Sequence, residues 1–171
     1  MIPRNISHGL RLLANGVFVV AAAADGKAHG FTATWVCQVS FRNPLLTVAI
    51  DKGHDTYQLI KRTGNAVVNI LRSDQKDVAE FFGRQREEPQ SPHFRRDGGQ
   101  ETPLLADCLG AIRCRVIGEM DARDHVVLLL EATEAEVFGE GTPLVYWSGK
   151  GYASATPMGV KSSQETSREG E

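Results

Sequence analysis

The chain has 171 residues, a formal net charge of −2 and 42% hydrophobic residues. A chain of this length is most simply one domain, with a core that needs no disulfide or metal staple. The near-neutral charge gives no electrostatic case for nucleic acid, which calls for a basic face, and no run of about 18 apolar residues offers a membrane span.

In chain order, the pattern predicts a short helix over 7–16, capped by Ser7, with Leu10, Leu13 and Ala14 on one face. Residues 17–24 read as a strand, Asp25-Gly26 as a hairpin turn, and 28–36 as the returning arm. Arg4 and Arg11 ahead of this apolar run also resemble a signal peptide, but a strand running into a turn accounts better for the same residues. Asn43-Pro44 breaks the chain before 45–50, a continuous apolar run of strand length. A helix is expected over 53–63, with Lys61 and Arg62 in its last turn and Gly64 beyond it. Residues 66–71 form a strand in which Asn69 needs a partner if buried. Ser73 is the expected cap of a second helix that presents Val78, Phe81 and Phe82 on one face and ends at Gly83. Residues 84–102 read as a long polar loop and 103–109 as a short helical turn. Long strands over 111–121 and 125–138 flank an Arg123-Asp124 turn, and shorter ones over 144–147 and 152–155 follow. The expected domain spans 1–160, and 161–171 reads as a disordered tail.

Strands with a few short helices and no strict βα alternation make the fold class mainly β. Long antiparallel strands joined by tight turns favour a small barrel, which removes open sheet edges. Cys37, Cys108 and Cys114 are odd in number and lack CxxC spacing. They read as small hydrophobes in a reducing compartment, the cytoplasm. The five histidines show no metal-ligand spacing, and no GxGxxG, Walker or GxSxG motif occurs.

The stretch from 30 to 56, GFTATWVCQVSFRNPLLTVAIDKGHDT, carries the functional signal. It runs from a strand through a polar turn and a buried strand to a helix start, which suits a ligand with a flat polar ring and a phosphate. Thr32, Ala33 and Thr34 offer fixed main-chain amides beside a small side chain, or are ordinary strand residues. Trp35 is a ring-pocket wall or core residue. Gln38 and Ser40 either donate to ring oxygens or hydrogen-bond within the turn before Asn43-Pro44. Asp51, Lys52, Gly53, His54 and Thr56 surround the helix start, where free N–H groups, the Lys52 charge and the Thr56 hydroxyl suit an anion. Asp55 with Gln58 also forms a capping-box pattern, in which the carboxylate caps its own helix.

The blocks GFTATWVCQVSFRNPLLTVAI, DTYQLIKRTGNAVVNIL and DQKDVAEFFG, then Asp124-His125 and PLVYWSGKGYA, follow one another over about residues 5–155. In that order and spacing they resemble the flavin reductase-like family, whose members have an FMN-binding split β-barrel. Flavoredoxins and the reductase partners of two-component monooxygenases are the nearest types. The resemblance implies FMN, with FAD as the alternative, and NADH or NADPH as reductant. It also implies a homodimer with flavin near the subunit interface, and a monooxygenase or redox-protein acceptor. It places the Thr32–Ala33–Thr34 triplet at the isoalloxazine edge and the helix start at the phosphate. His125 is the candidate for contact with the nicotinamide, or is a partly exposed structural residue, and Tyr152 either stacks near the same pocket or is a core or interface tyrosine. Arg123 stands where the family has glycine. Hydride transfer needs no general base, so His125 is read as binding rather than catalytic. Arg95 or Arg96, on the polar segment, is a candidate for a 2′-phosphate. Three functions compete: a flavin reductase, an FMN-holding electron carrier reduced by a protein, and a flavin-binding or structural module without turnover.

Overall fold

The computed structural model describes residues 2–84 and 91–154; the tail expected over 161–171 lies outside them. Its elements are α1 (Arg4–Leu10), β1 (Ala14–Gly16), β2 (Phe18–Ala24), β3 (Lys27–Ala33), β4 (Val36–Gln38), β5 (Leu45–Asp51), α2 (Asp55–Thr63), β6 (Asn65–Ile70) and α3 (Lys76–Arg84). Beyond these come β7 (Phe94–Asp97), β8 (Gln100–Leu105), β9 (Gly110–Ala122), β10 (His125–Val137), β11 (Leu144–Trp147) and β12 (Gly151–Ser154).

A seven-stranded antiparallel sheet runs β3-β2-β6-β9-β10-β5-β4. Only Thr34 and Trp35 separate β3 at one edge from β4 at the other. So short a link reaches about 10 Å, which forces the two edges together and curls the sheet into a barrel. No ladder joins β3 to β4 or β5, so the barrel stays open along this seam. This is the split β-barrel the sequence led us to expect, with one difference. Residues 28–36 are not one arm but two strands on opposite edges, parted at Thr34–Trp35.

β2 is buried on both faces, which is why it reads as an unbroken apolar run. Val20 and Ala22 point into the barrel with Val48, Ile50, Val68, Leu128 and Leu130, and α2 closes that core with Tyr57 and Ile60. Val19 and Ala21 point the other way, into a second core with Leu71, Val78, Phe82, Phe94, Leu105 and Leu144. α2 ends as expected: Gly64 adopts φ 71° and its N–H bonds to Ile60 O at 2.8 Å.

Several boundaries differ from expectation. α1 starts at Arg4 with Pro3 as N-cap, so Ser7 lies within the helix, and none of its residues is buried. α3 starts at Lys76 and runs through Gly83 to Arg84. The polar segment contains the β7–β8 hairpin, turned by Gly98 and Gly99 at φ 56° and 82°. Glu101 pins that hairpin to the β2–β3 turn: its Oε2 accepts the Ala28 N–H at 3.2 Å and its own N–H bonds to Gly26 O. The segment 103–109, expected as a helical turn, is the end of β8 and a bend, because Asn69 holds it extended. The Asn69 amide donates to Val19 O and Pro103 O, and its Oδ1 accepts the Leu105 N–H at 3.0 Å. The partner this buried asparagine needed is the protein itself.

Candidate functional site

The seam between β3 and β4 is where the candidate residues gather. Trp35 is 58% exposed. Its indole meets the His125 imidazole with centroids 5.2 Å apart and planes at 60°. His125 opens β10 opposite Asp51 at the end of β5. Its Nδ1 lies 3.2 Å from Asp124 Oδ1. That hydrogen bond to His125 holds the Asp124 carboxyl below its usual range. Trp35 O accepts the Ala49 N–H at 3.0 Å, but among the described residues the N–H groups of Thr34 and Trp35 have no acceptor. The seam therefore presents an exposed flat ring, an oriented imidazole and unpaired main-chain donors.

The triplet divides across this seam. The Thr32 hydroxyl donates to Ala79 O at 2.6 Å and faces α3. Ala33 is buried in the barrel core. The backbone of Thr34 and Trp35 is what remains open to a ligand. Gln38 and Ser40 close their own turn: Gln38 Nε2 donates to Ser40 O at 2.9 Å, and Ser40 Oγ accepts the Asn43 N–H at 3.1 Å. These are the bonds of the turn role that the sequence also offered them.

The start of α2 is more self-contained than a bare helix terminus. Asp51 Oδ1 accepts the Gly53 N–H at 2.7 Å, and the His54 N–H bonds to Asp51 O. His54, not Asp55, is the N-cap: its Nδ1 accepts the Thr56 N–H at 3.2 Å, and its ring lies 5.0 Å from that of Phe31. Gln58 completes no capping box, since its Nε2 donates to Lys52 O. Thr56 is fully buried, and among the described residues its hydroxyl has no hydrogen-bond partner. A buried polar atom left in this way is costly, by about 1–3 kcal/mol, and marks a place a ligand or a side-chain rotation can satisfy. The Lys52 Nζ sits 2.7 Å from Asp121 Oδ2. Asp121 also accepts the Arg123 N–H at 2.7 Å. The Lys52 ammonium first, then the Arg123 N–H, pull the Asp121 carboxyl below its ordinary value. Arg123 takes φ 75°, the left-handed conformation that suits glycine. The Asp121 bond stabilises that turn with arginine in place.

Tyr152 and His125 lie on different sheets. Tyr152 lies on β12 in the separate three-stranded sheet, with its ring 5.3 Å from Tyr146. Burial, with Glu80 of α3 nearby, pushes its phenol up. Arg95 and Arg96 are engaged within the fold. Arg95 donates to Leu105 O and lies 4.3 Å over the Phe138 ring, and Arg96 pairs with Glu101. Asp121 and Phe31 went unremarked in the sequence. An Asp two residues before a left-handed position is a readable turn signal for Asp121. Nothing local joins it to Lys52, 69 positions away.

The group that the resemblance implies, a flavin, fits the ring end: the donors are main-chain amides and the neighbours are flat rings. At the phosphate end Lys52 fits by charge. The α2 amides there are mostly taken, the lysine is paired with Asp121, and Asp51 and Asp55 lie within three residues of it in sequence. Among the described residues, no three or more His, Cys, Asp or Glu side chains group as metal ligands. No helix among them is long and apolar enough to cross a membrane.

Comparison with known proteins agrees with this geometry. Residues 10–155 match the model of the "Flavin reductase like domain". The reductase component of 4-nitrophenol 4-monooxygenase/4-nitrocatechol 2-monooxygenase from Rhodococcus opacus is 31% identical over 140 residues, covering 80% of this chain and 73% of that one. A probable flavin reductase of Rhizobium meliloti is 32% identical over 152 residues, 88% of this chain, which spans about half (47%) of that longer protein. Among solved structures, the flavin reductase PheA2 in its native state superposes with a TM-score of 0.77 at 32% identity, over 91% of this chain and 99% of its own.

Proposed function

The chain belongs to the flavin reductase-like family and is an NAD(P)H:flavin oxidoreductase, and on that premise we propose that it works on FMN held at the Thr34–Trp35 seam and passes reduced flavin to a separate monooxygenase. What supports the seam as the site is one juxtaposition: an exposed indole, an imidazole oriented by a carboxylate, and main-chain N–H groups with no acceptor among the described residues. FAD is the alternative flavin.

When bound, the flavin supplies the hydride acceptor. The chain's own residues bind and orient. The Thr34 and Trp35 N–H groups would hold the flavin ring, where fixed dipoles favour negative charge without reorganising. Trp35 would offer its exposed indole to the flavin ring and shield it from water. Asp124 fixes the Nδ1 side of His125, leaving Nε2 to contact the nicotinamide amide. Lys52 meets the phosphate. Tyr152, on the three-stranded sheet, is the outlying member of the proposed nicotinamide site.

The working form is a homodimer. Ile6, Leu10, Leu12 and Leu13 beside α1, and Ile117 and Met120 on β9, are large apolar side chains left in solvent, as surfaces awaiting a second subunit are. The compartment is the cytoplasm, in keeping with three free cysteines.

The test is steady-state oxidation of NADH and of NADPH with FMN, FAD or riboflavin added. Consumption that depends on added flavin is the expected result. A protein that purifies yellow, consumes neither nucleotide and accepts electrons only from another protein is the carrier instead. A protein that binds no flavin is neither.

A further inference from the structure

Lys52 is the one cation that the phosphate end offers from its own turn, and in this structure it is already spoken for. Its ammonium lies 2.7 Å from Asp121 Oδ2, with the lysine side chain 39% exposed and the aspartate 71% exposed. Lys52 lies in the β5–α2 turn and Asp121 at the end of β9, beside the β9–β10 turn. These turns are joined a second time by the Lys52 N–H, which bonds to Asp124 O at 3.4 Å. Asp51 and Asp55 flank the lysine in sequence, and the Asp51 carboxylate accepts the Gly53 N–H of the same turn, so negative charge accompanies the ammonium beyond its partner Asp121. An arriving phosphate meets a lysine whose charge is matched and neighbours that repel it.

We propose that Asp121 is a built-in competitor for the flavin's phosphate, setting how loosely FMN is held relative to riboflavin. The inference rests on the reading that the Lys52 turn receives the phosphate. A bound phosphate gains Lys52 only by displacing Asp121, so its apparent affinity is lowered by the fraction of protein in which the ammonium is free. The weakening suits an enzyme that releases its flavin to a partner: the ring end gives specificity and the foot is held lightly. Asp121 does not touch the reacting atoms. It is a specificity-determining residue that acts through Lys52.

Asp121→Asn tests this, because asparagine keeps the side-chain oxygen that accepts the Arg123 N–H and removes only the charge. FMN and riboflavin are titrated into wild type, Asp121→Asn, Lys52→Ala and the double variant, with the thermal midpoint as a check on folding. Asp121→Asn is expected to tighten FMN by about two- to tenfold, as release of an exposed ion pair and of a like charge allows, and to leave riboflavin unchanged. In the Lys52→Ala background the same change gains less. Asp121→Asn binding FMN more weakly means the carboxylate positions Lys52 rather than competing for it, and overturns the proposal. So does an equal change for both flavins, or none for either. If wild type binds neither flavin, the reading of the site fails with it, an outcome distinct from flavin binding that ignores Asp121.

Discussion

Replacing Trp35 with alanine asks whether the seam binds rings or only closes a barrel. More than half of the indole is in solvent, and its ring contact is with His125 rather than with the barrel core. Removal therefore takes little from the fold, and the thermal midpoint is expected to fall by no more than about 2–4 °C, the shift of a substitution costing about 0.5–1 kcal/mol. Ligand binding depends on it far more. A planar ring laid on the indole covers much of the exposed half, on the order of 100 Å², worth about 2–3 kcal/mol by area and about 0.5–1.5 kcal/mol more for aromatic geometry. Immobilising the ligand and the side chain consumes part of that gain, so a net loss of about 1–2 kcal/mol is expected, about 5- to 30-fold in FMN affinity. Titration calorimetry with FMN and riboflavin measures it, and both should weaken alike because the contact is with the ring. Trp35→Phe should recover most of the loss. Unchanged affinity for both flavins would remove Trp35 from the site. A midpoint drop of about 10 °C would show instead that the indole holds the fold.

Lys52→Ala, by contrast, should weaken FMN by a few-fold and riboflavin not at all; equal losses would place the phosphate elsewhere. Asn69→Leu removes three side-chain hydrogen bonds, two of them buried, and takes from Pro103 O and the Leu105 N–H the partner that holds β8 against β6. It should cost about 3–5 kcal/mol in chemical denaturation, and a loss under 1 kcal/mol would contradict the pinning role. The Asp121 and Asp124 carboxyls both sit below their ordinary value of 3.8 in the folded chain. Their stabilisation is present above that value and is lost as pH falls through the depressed folded values, so thermal midpoints should drop below about pH 4, less steeply in the Asp121→Asn variant. A flat profile there counts against both pairs. Cys37 is exposed, whereas Cys108 and Cys114 are buried and desolvation pushes the Cys114 thiol up to about 11. One thiol per chain should therefore react quickly with a thiol reagent under native conditions, and three after unfolding; fast reaction of Cys114 would contradict its burial.

Much of the scaffold was legible because local and global preferences coincide. The apolar run of β2 is buried on both faces, Asp25-Gly26 turns the hairpin, and Gly64 caps α2 in the left-handed conformation that its sequence position announces, whereas β5, which the same apolar character led us to expect buried on both faces, buries only the Val48 and Ile50 face. What stayed hidden was decided by distant contacts. The apolar character of 28–36 continues past Ala33, so nothing in it marks Thr34–Trp35 as the crossing of an open seam. That crossing is a consequence of the seven-strand order. The hairpin within 84–102 did carry a local signal, the glycine pair at 98–99, but its polar composition masked strands whose inward faces rest on Phe94, Glu101 and Leu105. At the site, residue types were readable and orientations were not. Thr32 and Ala33 turn toward α3 and the core, Gln38 and Ser40 bond within their own turn, and Lys52 meets Asp121 across the barrel's rim.

A crystal structure of the chain soaked with excess FMN tests the seam most directly. The account predicts the isoalloxazine against the Thr34–Trp35 backbone with Trp35 on one face, His125 close by, and the phosphate at Lys52 with the Asp121 contact broken. A flavin seated anywhere else, or none at saturating FMN, contradicts it.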